Sequence, residues 1–201
     1  DGAENVILLD AGDCLQGDNA AYYFNYIDTV SQHLYSRMAE YIGYDAVVMG
    51  NHDIETGHPV YDRLIRSSKV PFLASNAIRN DDGRPYFQEY VTLKRHGLNI
   101  TVIGFTNPNI KGWLSPILWE GMTFESLLPF AQEVVDRISA EEKSDVVMVA
   151  VHAGTGKGDG SVLENQGLDL FQSLQGVDFV ICAHDHSPVV HKSEDICLIN
   201  S

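Results

Sequence analysis

The chain has 201 residues, with 13 basic and 28 acidic side chains for a formal net charge of −15, a balance that repels nucleic-acid polymers and anionic membrane surfaces. Its content of 44% hydrophobic and 20% charged residues excludes a disordered chain, and folding at this length buries roughly 70% of the unfolded surface in one domain. The longest apolar run, Val146 to Val151, falls far short of the roughly 18 residues that cross a bilayer, and no charged-then-apolar leader opens the chain.

The pattern alternates strands and helices. Val6 to Leu9 reads as a buried strand feeding Asp10-Ala-Gly-Asp13. Ile27, Val30, Leu34, Met38 and Tyr41 recur at helical spacing, predicting one amphipathic helix that ends at Gly43. Ala46 to Met49 is a second strand, ending at Gly50-Asn51-His52-Asp53, which reads as a turn. Pro59 suits the first turn of a helix carrying Val60, Leu64 and Ile65, and Phe72 to Ala74 is a third strand. Tyr86 to Leu93 and Leu98 to Phe105 flank a hairpin turn at residues 94–97. Leu127, Ala131, Val134 or Val135, and Ile138 return to helical spacing. Then come strand Val146 to Val151, a Gly-rich loop, helix Asn165 to Leu174, and strands Phe179 to Cys182 and Ile196 to Ile199. This order predicts an α/β protein with a largely buried mixed sheet or paired sheets, in one domain without linker or repeat.

Polar residues follow the strands with a regularity. Asp13, Asn51, His152 and His184-Asp185-His186 each stand just after a predicted strand, and open α/β sheets bind ligands beyond the carboxyl ends of their strands. Each motif alone is ordinary: Asp13 suits a helix cap, and a lone His-x-His is more often a packed turn than a ligand pair. Their joint placement points to a metal site. Carboxylate, amide oxygen and imidazole without thiolate suit Zn²⁺, Mn²⁺, Co²⁺ or Fe²⁺ rather than calcium or structural zinc. Two such ions sharing a carboxylate activate water for in-line attack at phosphorus.

Asp10-Ala-Gly-Asp13, Gly50-Asn51-His52-Asp53, Val151-His152-Ala-Gly154 and His184-Asp185-His186 resemble the ordered blocks of the calcineurin-like metallophosphoesterases. The likeness is greatest to their 5′-nucleotidase and 2′,3′-cyclic-nucleotide phosphodiesterase branch. The resemblance implies a layered α/β/β/α sandwich with mixed sheets and a nucleotide phosphate ester as substrate. It implies two divalent ions (Zn, Mn, Co, Fe or Mg). Asp13 would bridge them, Asn51, His152 and His184 would complete one site, and His186 would join the other. His52 would contact the phosphate and assist the leaving oxygen, oriented by Glu55. Asp10 and Asp53 are expected to orient the ligands from behind. Relatives of this branch are exported, which implies a periplasmic or cell-surface location.

The Asp-x-His that opens the family pattern does not occur in residues 1–201. The expectation is therefore one catalytic domain over 1–201, cut from a larger enzyme at both ends. Its first strand and base-binding C-terminal region would be missing. Such a chain would hold at most one metal tightly, hydrolyse esters weakly, and self-associate through exposed strand edges. A metal-binding interaction module without catalysis, or a dimetal hydrolase of a non-nucleotide ester, are the alternatives.

Other residues read more plainly. Cys14, Cys182 and Cys197 fit neither a disulfide framework nor a metal knuckle and are expected as small buried residues. His33 and His96 are expected in solvent, His58 packed beside Pro59, and Arg63, Arg66 and Lys69 at a solvated helix end. Trp113 and Trp119 either stack on a base or anchor their loop. Gly154-Thr-Gly-Lys157-Gly158 lacks the spacing of a phosphate loop and reads as flexible.

Overall fold

The paired apolar faces of the strands decide the architecture, which a computed structural model describes for residues 2–201. Strands β1 (Leu9–Asp10), β2 (Ala46–Val48) and β3 (Phe72–Leu73) form a parallel sheet in that order. A second, mixed sheet has the order β10-β11-β9-β8-β6-β5. It comprises β5 (Tyr90–Arg95), β6 (Leu98–Phe105), β8 (Val146–Val151), β9 (Phe179–Cys182), β10 (Val189–Lys192) and β11 (Cys197–Asn200). A two-stranded ribbon joins β4 (Ala77–Arg79) to β7 (Met122–Phe124).

Period-two alternation sends successive side chains of one strand to different cores. In β8, Val147, Val149 and Val151 face the helices α6 (Leu127–Glu142) and α7 (Gly167–Ser173). Ala150 and Met148 face the other sheet, where they meet Ala46, Val48 and Leu73. Val47 of β2, and Met49 just past its end, point outward to α2 (Leu34–Ile42), α3 (Asn51–Glu55) and α4 (His58–Ser67), among Ala39, Ile54, Tyr61 and Leu64. Helix, sheet, sheet, helix is thus the layer order, as the family resemblance implies; the strand pattern alone left one mixed sheet or two open. The sheets touch closely at Gly104, where a Cβ would run into Leu73. Among the described residues no helix is long and apolar enough to cross a membrane.

Several elements differ from the sequence expectation. The first strand is two residues long rather than Val6 to Leu9: Leu8 gives its N–H to the Asp45 carboxylate at 3.0 Å, and Val6 is half exposed. The helix expected from Ile27 onward begins only at Leu34, as α2; ahead of it a short α1 (Asn19–Tyr22) runs into a π-helical turn that ends at Ile27. Asp28 accepts the N–H groups of Val30 and Ser31, which makes the break. The apolar stripe also lies on the wrong side: Val30 is 94% and Tyr41 92% exposed, while Ser36 and Ala39 are buried. Small residues let α2 approach its layer closely, and the larger ones are left outside. Gly50 to Asp53 is a helical turn rather than a loop, and Tyr86 and Phe87 pack in a core ahead of β5 instead of starting it. Strands β4, β7 and β10 and helices α1 and α5 (Ile110–Trp113) were not legible.

His33, expected in solvent, is 1% exposed. Its Nδ1 accepts the Tyr35 N–H that starts α2, and its Nε2–H donates to Asn25 Oδ1 at 2.9 Å. Arg63, also expected in solvent, donates to the Phe24 carbonyl. Burial, then the Arg63 charge, push the His33 pKa down to about 4. The folded state therefore excludes a proton that the unfolded state binds below about 6.5. The contribution of His33 should fall by about 1.4 kcal/mol per pH unit from about 6.5 down to about 4, then level off. His33→Asn, which still caps the helix, should remove that contribution, so the two proteins should differ in slope across this window. Denaturation midpoints measured against pH for both proteins check this, and equal slopes would refute it.

Candidate metal centre

Four strand ends build the site. Asp13 follows β1, Asn51 opens α3 after β2, His152 follows β8 and His184 follows β9. One ligand atom each of Asp13, His152 and His184 lies within 4.8 Å of the others. His152 Nε2 is 3.0 Å from Asp13 Oδ2 and 3.2 Å from Asn51 Oδ1. His186 is exposed and lies outside this triad.

The backbone around these residues is forced. Gly12 has φ of +104°, and a Cβ there would sit 2.7 Å from His152 Nδ1 and 2.8 Å from Gly50 N. A Cβ on Gly50 would strike the Asp13 carboxylate. Asp13 itself has φ of +66°, in the left-handed region where Asp and Asn are the least strained side chains after glycine. His184 (φ +107°) and His186 (φ +51°) share that strain. Asp185 between them holds the turn, accepting Thr155 N–H at 2.9 Å and Asn200 Nδ2–H at 2.6 Å.

Asp53 clasps two of the loops. Fully buried, its Oδ2 accepts the N–H groups of Asp13 (2.9 Å) and Gly50 (2.8 Å), and its Oδ1 accepts that of Leu15 (3.0 Å). Cys14 Sγ lies 3.4 Å from the same Oδ1. Burial, then the Asp13 charge, raise the Asp53 pKa to about 6 against these donors. Asp10 braces the same loop from farther out, accepting the Gly12 N–H and the Tyr35 hydroxyl.

The donor set fits a divalent cation. His152 Nδ1 is 2.7 Å from the Ala11 carbonyl, so Nδ1 keeps its hydrogen and Nε2 is turned to the centre. There Nε2 meets two oxygens, an arrangement that one proton serves poorly and a cation serves well. Burial lowers the His152 pKa, yet the Asp13 hydrogen bond and charge outweigh it and raise the value overall. Burial likewise works to raise Asp13, and the His152 contact reverses it. His184 is lowered, by burial first and by His152 second. Oxygen and neutral imidazole donors of this kind suit borderline divalent ions.

Beside the centre, His52 Nδ1 is 2.8 Å from Glu55 Oε2, one helical turn along α3. The His52 N–H also donates to Asp13 Oδ1 at 2.8 Å. The imidazole is thus oriented by a carboxylate, with its Nε2 edge free and half its side chain exposed.

Trp113, for which the sequence left two roles open, takes a third. Its indole lies over the His184 imidazole, 5.3 Å between centroids and 27° between planes. Trp119 does anchor its loop, donating to Leu114 O beside Phe124. No local signal marks Trp113, because the contact joins α5 to the distant turn after β9. An indole packed on a candidate ligand ring can fix its orientation, as hydrogen-bonded outer partners do whose loss costs 10–100-fold in metal affinity. Trp113→Ala should weaken Zn²⁺ binding by about tenfold, and Trp113→Phe should restore most of it. A competition titration with a chromophoric chelator measures this; unchanged affinity in Trp113→Ala would refute the positioning role.

Known proteins resemble this chain in sequence and in fold. Over 198 residues the chain is 25% identical to the trifunctional nucleotide phosphoesterase protein YfkN of Bacillus subtilis, covering 90% of this chain and 13% of that protein. It is 23% identical over 208 residues to a 2′,3′-cyclic-nucleotide 2′-phosphodiesterase/3′-nucleotidase of Yersinia enterocolitica, covering 98% of this chain and 31% of that protein. The chain therefore spans less than a third of either relative. The crystal structure of the calcineurin-like phosphoesterase YfkN from Bacillus subtilis superposes with a TM-score of 0.82 at 22% identity, covering 98% of this chain and 67% of that one. Proteins of this kind use divalent metals, in keeping with the triad at the strand ends. A family model matches residues 2–188, and this chain belongs to the calcineurin-like phosphoesterases.

Proposed function

We propose that the chain carries the catalytic centre of a divalent-metal-dependent hydrolase of nucleotide phosphate esters, acting as a 5′-nucleotidase or a 2′,3′-cyclic-nucleotide phosphodiesterase. The observation that carries this reading is the convergence of Asp13, His152 and His184 within 4.8 Å, with the His52–Glu55 pair attached to Asp13 through the His52 N–H. Nucleotide chemistry comes from the activities that name the two relatives.

Asp13, Asn51, His152 and His184 would hold one cation, and His186, on the turn after β9, would contribute to a second. A cation held there supplies positive charge that draws in the phosphate and lowers the pKa of water. Asp13 offers its Oδ2 to that charge while its Oδ1 is fixed by the His52 N–H. Glu55 holds the His52 Nδ1–H, which leaves the Nε2 edge toward the leaving oxygen, where the imidazolium form of the ring would deliver its proton. In a protein of net charge −15, such a centre is the local exception that lets an anion bind.

An exported location belongs to the same reading and is tested by fractionating the source cells. So does self-association through the outer edges of β5 and β10, tested by light scattering.

The decisive experiment is a panel of 5′-, 3′- and 2′,3′-cyclic nucleotides with Mn²⁺, Co²⁺ or Zn²⁺, with phosphate release as the readout. Metal-dependent turnover that is lost in His52→Ala is expected. Metal binding without any turnover, in the whole protein, would favour the non-catalytic module instead.

A further inference from the structure

The Trp113 indole that lies over His184 rides on α5, a helix of four residues, too short to hold its own shape. What fixes it lies outside the metal centre. At one end of α5, Ile110 is fully buried in the core that Ile54 of α3 shares with Tyr61 and Leu64 of α4. The other end continues into residues 114–121, which run along the surface and leave Ile117 67% exposed. The 3-10 turn Pro116–Trp119 in that stretch packs against α3, the helix that carries Asn51, His52 and Glu55.

Two side chains of α4 grip the stretch. The Tyr61 hydroxyl donates to the Leu118 carbonyl at 2.7 Å, and His58 Nε2–H donates to the Glu120 carbonyl at 2.9 Å. Tyr61 is fully buried, with its ring against those of Tyr86 and Phe87. Burial, then the neighbouring Tyr86 and Asp62, push its phenol far up, so it stays a donor. From Leu118 the path to the indole is short. Trp119, the next residue, donates its Nε1–H to the Leu114 carbonyl at 3.2 Å, and Leu114 follows Trp113 directly. The Leu114 N–H closes α5 on the Ile110 carbonyl at 2.9 Å.

Behind Tyr61 stands a ligand-bearing helix. Only Thr56 and Gly57 separate α3 from α4. The Thr56 hydroxyl donates to the Asp53 carbonyl at 2.7 Å and the Gly57 N–H to the Ile54 carbonyl at 3.0 Å, so the joint is tied. Gly57 has φ of +81°, and a Cβ there would sit 3.3 Å from Leu118 Cδ2, so the gripped loop lies close against the joint. One unit therefore carries Asn51 and His52 on α3 and holds, through Tyr61 on α4, the loop that seats an indole on His184.

We propose that Tyr61 is a positioning residue of the metal centre: by holding the Leu118 carbonyl, its hydroxyl keeps the Trp113 indole on His184 and so sets His184 relative to Asn51. This rests on the metal-centre reading above and gives a buried phenol outside the centre a share in its shape.

The test is Tyr61→Phe, which removes one oxygen and leaves the buried ring in place, with folding checked by thermal midpoint. A neutral hydrogen bond shifts an equilibrium by roughly two- to tenfold, and only part of that reaches the ligands. Zn²⁺ affinity in chelator competition should therefore fall about threefold. A general loosening of the fold would weaken binding in any background, whereas a brace that works through the indole would not. In Trp113→Ala, the added Tyr61→Phe change should leave Zn²⁺ affinity where it stands. A second readout needs no metal: nuclear Overhauser contacts between the Trp113 indole and the His184 ring should weaken in Tyr61→Phe. Unchanged Zn²⁺ affinity in Tyr61→Phe, an equal loss with and without Trp113, or undiminished contacts between the two rings overturns the proposal. A wild-type chain that binds no Zn²⁺ defeats the metal-centre reading instead. The metal-free contacts then decide the brace alone, their weakening in Tyr61→Phe supporting it and their persistence overturning it.

Discussion

Asp53→Ala is expected to cost the fold about 3 kcal/mol or more, because three buried N–H groups lose their acceptor together. Those groups belong to Asp13, Leu15 and Gly50, on loops that follow different strands. Water cannot replace the carboxylate, which is fully buried. A lone unsatisfied amide costs about 1–3 kcal/mol, and here three share one partner. Asp53→Asn keeps the volume and one acceptor oxygen, so it should recover some of the loss and no more. Urea denaturation of the three proteins measures the difference. A midpoint for Asp53→Ala within experimental error of wild type would show that the clasp is incidental. A side effect should accompany the destabilisation: with Asp13 and Gly50 untied, metal affinity should drop as well.

The second large effect concerns the charge at the centre. Asp13→Asn should leave the fold intact and weaken metal binding by at least about 100-fold, more than the loss of an outer partner causes. The substitution is unusually clean. Asn tolerates the left-handed backbone at φ of +66°, and its carbonyl oxygen still accepts the His52 N–H now bound at 2.8 Å. What disappears is the negative charge, and with it the raised basicity of His152. Co²⁺ absorption titrations compare the two proteins, with circular dichroism confirming equal folding. Metal affinity within a few-fold of wild type would remove Asp13 from the ligand set.

How much of this was legible in the sequence follows from where each signal resides. Strands β8 and β9 stand where their apolar runs place them, residue for residue, because strands buried on both faces show no polar interruption. The strand-end motifs were legible for the same reason: Asp13, Asn51, His152 and His184 mark where burial stops, and topology gathers those ends. Helix α2 misleads because its neighbours demand small residues, so Ser36 and Ala39 face inward and the apolar stripe does not. His33 reads as a surface residue until Asn25 and the Tyr35 N–H supply its partners. Asp53 was expected behind the ligands, but its three-way clasp depends on contacts with residues some forty positions away. Trp113 over His184 depends on a contact longer still. Local pattern carries burial; it does not carry which distant side chains meet.

That division also explains the character of the site. The candidate ligands follow directly on strand ends, while the strain sits in the turns, at Asp13, His184 and His186. Asp53 and Asp185 meet that strain with buried hydrogen bonds, and so hold the centre open in shape before any cation arrives.

The most direct measurement is ¹⁵N NMR of the histidine side chains before and after Zn²⁺ is added. His152 should keep its Nδ1 proton throughout, donated to the Ala11 carbonyl now 2.7 Å away. Its Nε2 should shift on addition of one equivalent of metal, together with one nitrogen of His184. Zn²⁺ that leaves the His152 Nε2 resonance unmoved, or that shifts only exposed rings such as His96 and His191, would contradict a metal centre at these strand ends.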